Sequence, residues 1–156
     1  MSDQPIGILQ QRRIEAAVIK PLVQAFEKEL GRERTHEIVA TVIKTLAQET
    51  GAELARAHSG KNPIRAFAES LEPWTRGGAL ELEVLAQDEE RFHFNVTRCR
   101  YAEMYRELGL AELGYTLSCN RDAALIEGFS DEISFDRSQT IMQGAAHCDF
   151  RYQRKK

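Results

Sequence analysis

Three cysteines, Cys99, Cys119 and Cys148, pose the chemical question of this 156-residue chain. Cys99 stands between Arg98 and Arg100, where an alternating segment gives way to helical spacing. A helix N-terminus and two cations favour a thiolate, the form a cysteine nucleophile needs. Packing under a sheet explains the same residue equally well. Cys119 lies in "SCNRDAAL" (118–125), with Asp122 three residues on. If Ser118 or Asn120 caps a helix there, the thiol and the carboxylate can face one pocket. An aspartate that merely complements the helix dipole is the simpler account. In "GAAHCDFRY" (144–152), strand alternation groups Ala146, Cys148, Phe150 and Tyr152 on one face. His147, Asp149 and Arg151 take the other, where a cross-strand ion pair would suit them. Cys148 is then either a small buried hydrophobe or part of a site. His147 is of the type that usually carries protons near neutral pH.

These residues need elements to position them. Apolar residues at Ile14, Ala17, Val18, Leu22, Ala25, Phe26 and Leu30 predict a helix ending at Gly31. Pro21 should kink it or mark its first real turn. A second helix is expected from about Glu33 to His58, with Ile38, Val42, Ile43, Leu46, Leu54 and Ala55 on one side and Gly51 a weak spot costing up to ~1 kcal/mol. Asn62-Pro63 predicts a capped third helix to about Leu71. The period then changes to two: "ALELEVL" (79–85) and "RFHFNVT" (91–97) read as a hairpin. Helical spacing returns over 99–110, and a short helix from Ala111 to about Leu117 follows. Residues 132–141 and 146–153 form a last pair of strands, turning near Gln143-Gly144. The order implies a single α+β domain, 1–156. Its helical part (1–73) packs on one face of a mainly antiparallel sheet of about four strands in 74–156.

Composition bounds the roles. A net charge of −3 gives no basic footprint, and the locally basic end Arg151-Tyr152-Gln153-Arg154-Lys155-Lys156 reads as a solvated tail, so nucleic-acid binding is disfavoured. No stretch approaches the ~18 apolar residues of a membrane span, and the first ten residues do not resemble a signal peptide, so a cytoplasmic location is expected. An odd cysteine count argues for free thiols. Separations of 20 and 29 residues are not a zinc-finger spacing. Three thiolates and Asp122 would nonetheless be ligand types that suit a zinc ion, so the cofactor stays open. A homodimer would suit this charge-balanced 17.7 kDa chain, with Trp74 and Met104 as surface-capable residues, although no heptad repeat accompanies it.

The stretch "VTRCRYAEMYRELGLAELGYTLSCNRDAALIEGF", followed by "ISFDRSQTIMQGAAHCDFRY", resembles the L-2-amino-thiazoline-4-carboxylic acid hydrolase family. The resemblance spans roughly residues 92–152. It rests on Cys99 and Tyr101, on Cys119-x-x-Asp122, on Arg137, and on Gly144 with Cys148, Asp149 and Phe150. It implies a hydrolase that opens a small cyclic amidine or amide, as when an aminothiazoline carboxylate becomes an N-carbamoyl amino acid. Cys99, Cys119, Asp122 and Cys148 would be catalytic; Tyr101, Arg137 and Asp149 would bind substrate. Such chemistry needs a nucleophile (Cys99 or Cys119, or water), a proton carrier (Asp122) and a cation for the carboxylate (Arg137 or Arg98). The ending "QGAAHCDFRY" is also similar to ligand-binding domains of the 4-vinyl-reductase type, which implies a non-catalytic sensor instead.

Overall fold

A computed structural model describes residues 5–156. Two long helices open the chain, α1 (Ile8–Leu30) and α2 (Arg32–Ala57), hinged at Gly31, whose φ of 82° a side chain would resist. The helix α1 starts six residues earlier than the apolar spacing predicts and runs unbroken through Pro21. Pro21 is exposed, so water can take the carbonyl it leaves unpaired. The Asn62 side chain accepts the Arg65 N–H at 3.1 Å and caps α3 (Pro63–Ser70), as Asn-Pro predicts. A one-turn helix, α4 (Glu72–Thr75), leads into the sheet.

Four strands pair entirely antiparallel in the order β1-β2-β4-β3. They are β1 (Leu80–Gln87), β2 (Arg91–Cys99), β3 (Ile133–Asp136) and β4 (Cys148–Arg154). Between the two hairpins come α5 (Arg100–Glu107), α6 (Ala111–Gly114), a π turn (Tyr115–Cys119) and α7 (Asn120–Phe129). The fold is thus α+β, as the period changes imply.

Two expectations need correction. The strand expected over 132–141 stops at Asp136, because the side chains beyond it supply the backbone's partners in place of a ladder. Asp149 accepts the Ser138 N–H at 3.0 Å and the Gln139 N–H at 2.9 Å, and the Cys148 sulfur accepts the Ile141 N–H at 3.1 Å. Thr140 caps a short 3-10 turn that ends at Gly144, with φ 101°. Nor does a capped helix begin at Ser118 or Asn120. The chain runs from α6 through the π turn into α7 without a side-chain cap, and Asn120 instead donates to the Ala40 carbonyl of α2 at 3.5 Å.

The core has two lobes. One joins the inner sheet face to α3 and α7, with Phe94 stacked on Phe150 at 4.9 Å and Phe135 on Tyr152 at 4.7 Å. The other joins α1 to α5 and α6 around Tyr105, Met104 and Leu117. A cavity lies where the lobes meet. Part of its wall comes from α2 (Ala47, Thr50) and α7 (Asp122, Leu125), which approach backbone to backbone. A Cβ on Gly51 would stand 2.0 Å from the Leu125 carbonyl oxygen, and one on Gly128 2.0 Å from that of Gln48. Gly51 is therefore a contact that α7 requires, and a bulkier residue would push the helices apart.

Candidate active site

Each segment bearing a cysteine ends at this cavity. The Cys99 backbone finishes β2 and caps α5, its sulfur accepting the Ala102 N–H at 3.4 Å. The π turn swings Ser118 and Cys119 toward the same space, a use to which π bulges are often put. Cys148, paired in register with Val96, points inward with the aromatic face of β4. Asp122, one turn into α7, completes that wall. Cys99, Cys119, Asp122, Cys148, Tyr101 and Arg137 all line one cavity of about 80 Å³, despite their distance in sequence. Asp149 does not line it. Its carboxylate is spent on Ser138 and Gln139, fixing the loop that carries Arg137. His147 is also turned away, with its carbonyl accepting from Gln139 at 2.9 Å.

Arg137 is the central cation. Its side chain is 6% exposed, bonds Asp122 directly, and donates to the Cys119 carbonyl at 3.2 Å and the Tyr115 hydroxyl at 3.4 Å. Phe150, Phe135 and Tyr115 rings lie 5.3–5.7 Å from its guanidinium carbon. The Cys119 carbonyl, where the π turn passes into α7, is thus held by the arginine that holds the carboxylate. Arg98, the other cation weighed from sequence, faces outward to Glu103 (2.9 Å) and Glu81 (3.5 Å). Two arginines that sequence reasoning missed stand at the cavity instead. Arg121 sits inside the motif around Cys119, but Arg12, 87 residues before Cys99, gives no local signal. They share Glu15, at 2.9 Å from Arg12 and 3.6 Å from Arg121. Three arginines against Glu15 and Asp122 leave one positive charge uncompensated. Burial and then the charge of Arg12 lower the Arg121 pKa, as expected of cations crowded without enough anions.

Burial pushes the Cys99 thiol up to about 11 even though the α5 N–H groups oppose the shift, which at neutral pH favours the packed thiol over the thiolate, the two readings that its place beside Arg98 and Arg100 leaves open. Burial, and next the Asp122 charge, raise Cys119 far further; burial also raises Cys148. Asp122 is pushed up to about 6 by burial, with Arg137 pulling against it. Its side chain is 34% open, and it opens onto the cavity it lines, so the carboxyl is hemmed in by protein yet reachable by a ligand. Tyr101, anchored through its hydroxyl to the Trp74 carbonyl at 3.1 Å, is raised by burial too. Among the described residues, no group of three or more His, Cys, Asp or Glu is placed to hold a metal.

The family model for L-2-amino-thiazoline-4-carboxylic acid hydrolase matches residues 11–152. The chain belongs to that family. The match takes in most of α1 and all of α2, beyond the motifs of the C-terminal half, so Arg12 falls within the matched range. The family's name points to a hydrolase. No curated protein matches the chain. Among solved structures, the phenol-responsive sensory domain of the transcription activator PoxR, determined with phenol, superposes with a TM-score of 0.52. It is 16% identical, over 89% of this chain and 74% of that one, and at such identity the likeness is one of fold. No helix among the described residues is long and apolar enough to cross a membrane.

Proposed function

We propose that the protein hydrolyses a small cyclic amidine bearing one carboxylate, of the 2-aminothiazoline-4-carboxylate type, to an N-carbamoyl amino acid. The observation that carries this reading is a carboxyl held near pKa 6 at the wall of a small cavity that has one positive charge to spare. A space of about 80 Å³ suits a single small ring better than a peptide or nucleotide. Arg12 and Arg121 take the substrate carboxylate, which supplies the anion they lack. Arg137 keeps Asp122 oriented toward the ring.

Ionised Asp122 acts first as a general base: it takes a proton from water as the oxygen adds to the amidine carbon. It then gives that proton to the ring nitrogen. In a thiazoline the bond that breaks next is between this carbon and the ring sulfur. The added hydroxyl becomes the new carbonyl, and its proton leaves with the sulfur as a thiol. One water is consumed, and the exocyclic amine stays in the product. The protonated cysteines form a soft, polarisable wall against the ring sulfur, without having to ionise. Because burial holds all three thiols protonated, water is a better first nucleophile here than a thiolate.

The sensor reading shares the same cavity, and the likeness to a phenol-responsive domain is what favours it. A panel of aminothiazoline, hydantoin-like and other cyclic amidine carboxylates, incubated with wild type, Cys99→Ala, Cys119→Ala and Asp122→Asn, separates the two. The expected result is turnover by wild type that Asp122→Asn loses by about 100-fold or more, the scale of one general base. Undiminished turnover by Asp122→Asn would refute the assigned role. No turnover of any ring, with tight binding of phenol instead, would make the protein a sensor.

A further inference from the structure

The apolar stripe that announces α1 in the sequence does not face the core, and neither does the part of the α2 stripe beside it, although Ile43, Leu54 and Ala55 of α2 do. Ile14, Val18, Leu22, Phe26 and Leu30 recur every fourth residue of α1, and all are exposed. Ile38, Val42 and Leu46 repeat the pattern on α2. Each of these side chains remains 40–59% open to solvent. The groove between the helices, about 240 Å³, is lined by apolar side chains and Thr35 alone. Contiguous apolar surface of this extent marks an interaction site.

We infer that this face binds a second copy of the chain, pairing two α1–α2 hairpins about a twofold axis into a four-helix layer. Three features single out that partner. The exposed part of the eight side chains amounts to roughly 800 Å², about what one partner contributes to a standard stable interface. In a twofold interface, residues near the axis meet their own copies, so a charge there would meet its like. The residues just before the large side chains in the middle of the face are Ala17, Pro21, Ala25, Thr41 and Thr45, none of them charged, whereas Arg13, Glu29 and Glu37 take the corresponding positions at its ends, away from an axis through its centre. Finally, a helix face that lies on anionic lipid carries a rim rich in Lys and Arg. Here α1 holds Arg12, Arg13, Lys20 and Lys28 against Glu15, Glu27 and Glu29, and α2 is evenly balanced. Trp74 and Met104, the surface-capable residues considered from sequence, are not part of this face: Trp74 lines the cavity and Met104 is buried.

Light scattering on the eluting full chain at about 10 µM is the test. Wild type should show twice the 17.7 kDa chain mass. Val18→Glu with Val42→Glu should return it to the monomer mass, with an unchanged circular-dichroism spectrum, since both positions already face water. The milder pair Val18→Thr and Val42→Thr, close in shape, should raise the dimer dissociation constant by about 10-fold or more. A wild-type monomer at this concentration would overturn the proposal. So would a dimer that the glutamate pair leaves intact, or a wild-type monomer that floats with phosphatidylglycerol vesicles.

Discussion

At Cys99 two influences oppose each other. The α5 N-terminus offers its N–H groups to the sulfur, while enclosure in the cavity wall withdraws water from it, and enclosure prevails. Sequence shows the first influence, because a strand-to-helix turn beside two arginines is visible in the residue order. It cannot show the second, which depends on what folds over the thiol. The same reason hid the orientation of Arg98, whose neighbours in space are Glu81 and Glu103. The Cys119-x-x-Asp122 pair and Arg137 are legible as cavity residues because their types and spacing carry the resemblance noted in the sequence. Arg12 is not, because it approaches from the far end of the chain. A thiol raised from 9.0 to about 11 holds about 100-fold less thiolate at neutral pH. Iodoacetamide at pH 7.5 should therefore label Cys99 about 100-fold more slowly than the same residue in the urea-unfolded chain. Labelling of the folded protein at or above the unfolded rate would show a thiolate, and would restore Cys99 as the nucleophile.

Elements are legible where hydrophobic period decides them, as in the first hairpin and the long α2, or where a cap signal does, as in α3. The last hairpin was overextended because the segment after Asp136 keeps strand-like composition while its backbone bonds to Asp149 and Cys148 side chains. Gly51 is the instructive residue. On helix propensity its replacement by alanine should stabilise α2 by up to ~1 kcal/mol. In the folded chain a methyl group there meets the α7 backbone at 2.0 Å, a contact between two rigid helices that cannot yield by rotating a side chain. Gly51→Ala should accordingly lower unfolding free energy by about 1–3 kcal/mol in urea titration. Because α7 carries Asp122, the variant should also lose catalytic rate. A neutral or stabilised Gly51→Ala would mean that the two helices are not in backbone contact.

For the whole molecule, the fold class followed from the order of periods, but which faces meet did not. The α1 and α2 stripes read as helical faces, and nothing in a single sequence tells a core face from one that waits for a partner. What the tertiary arrangement adds is convergence: α1, β2, the π turn, α7, the β3–β4 connection and β4 each bring at least one group to a cavity with a near-neutral acid and surplus positive charge. The central claim is that this assembly opens a cyclic amidine with Asp122 as its base. A carboxyl whose pKa the fold raises from 3.8 to about 6 is protonated, and idle as a base, below that value. The kcat/KM of wild type for 2-aminothiazoline-4-carboxylate, measured from pH 4.5 to 8, should rise about tenfold per unit and level off above about pH 6, a limb absent from any residual activity of Asp122→Asn. A wild-type profile that is flat between pH 5 and 7, or the same limb persisting in Asp122→Asn, would contradict it.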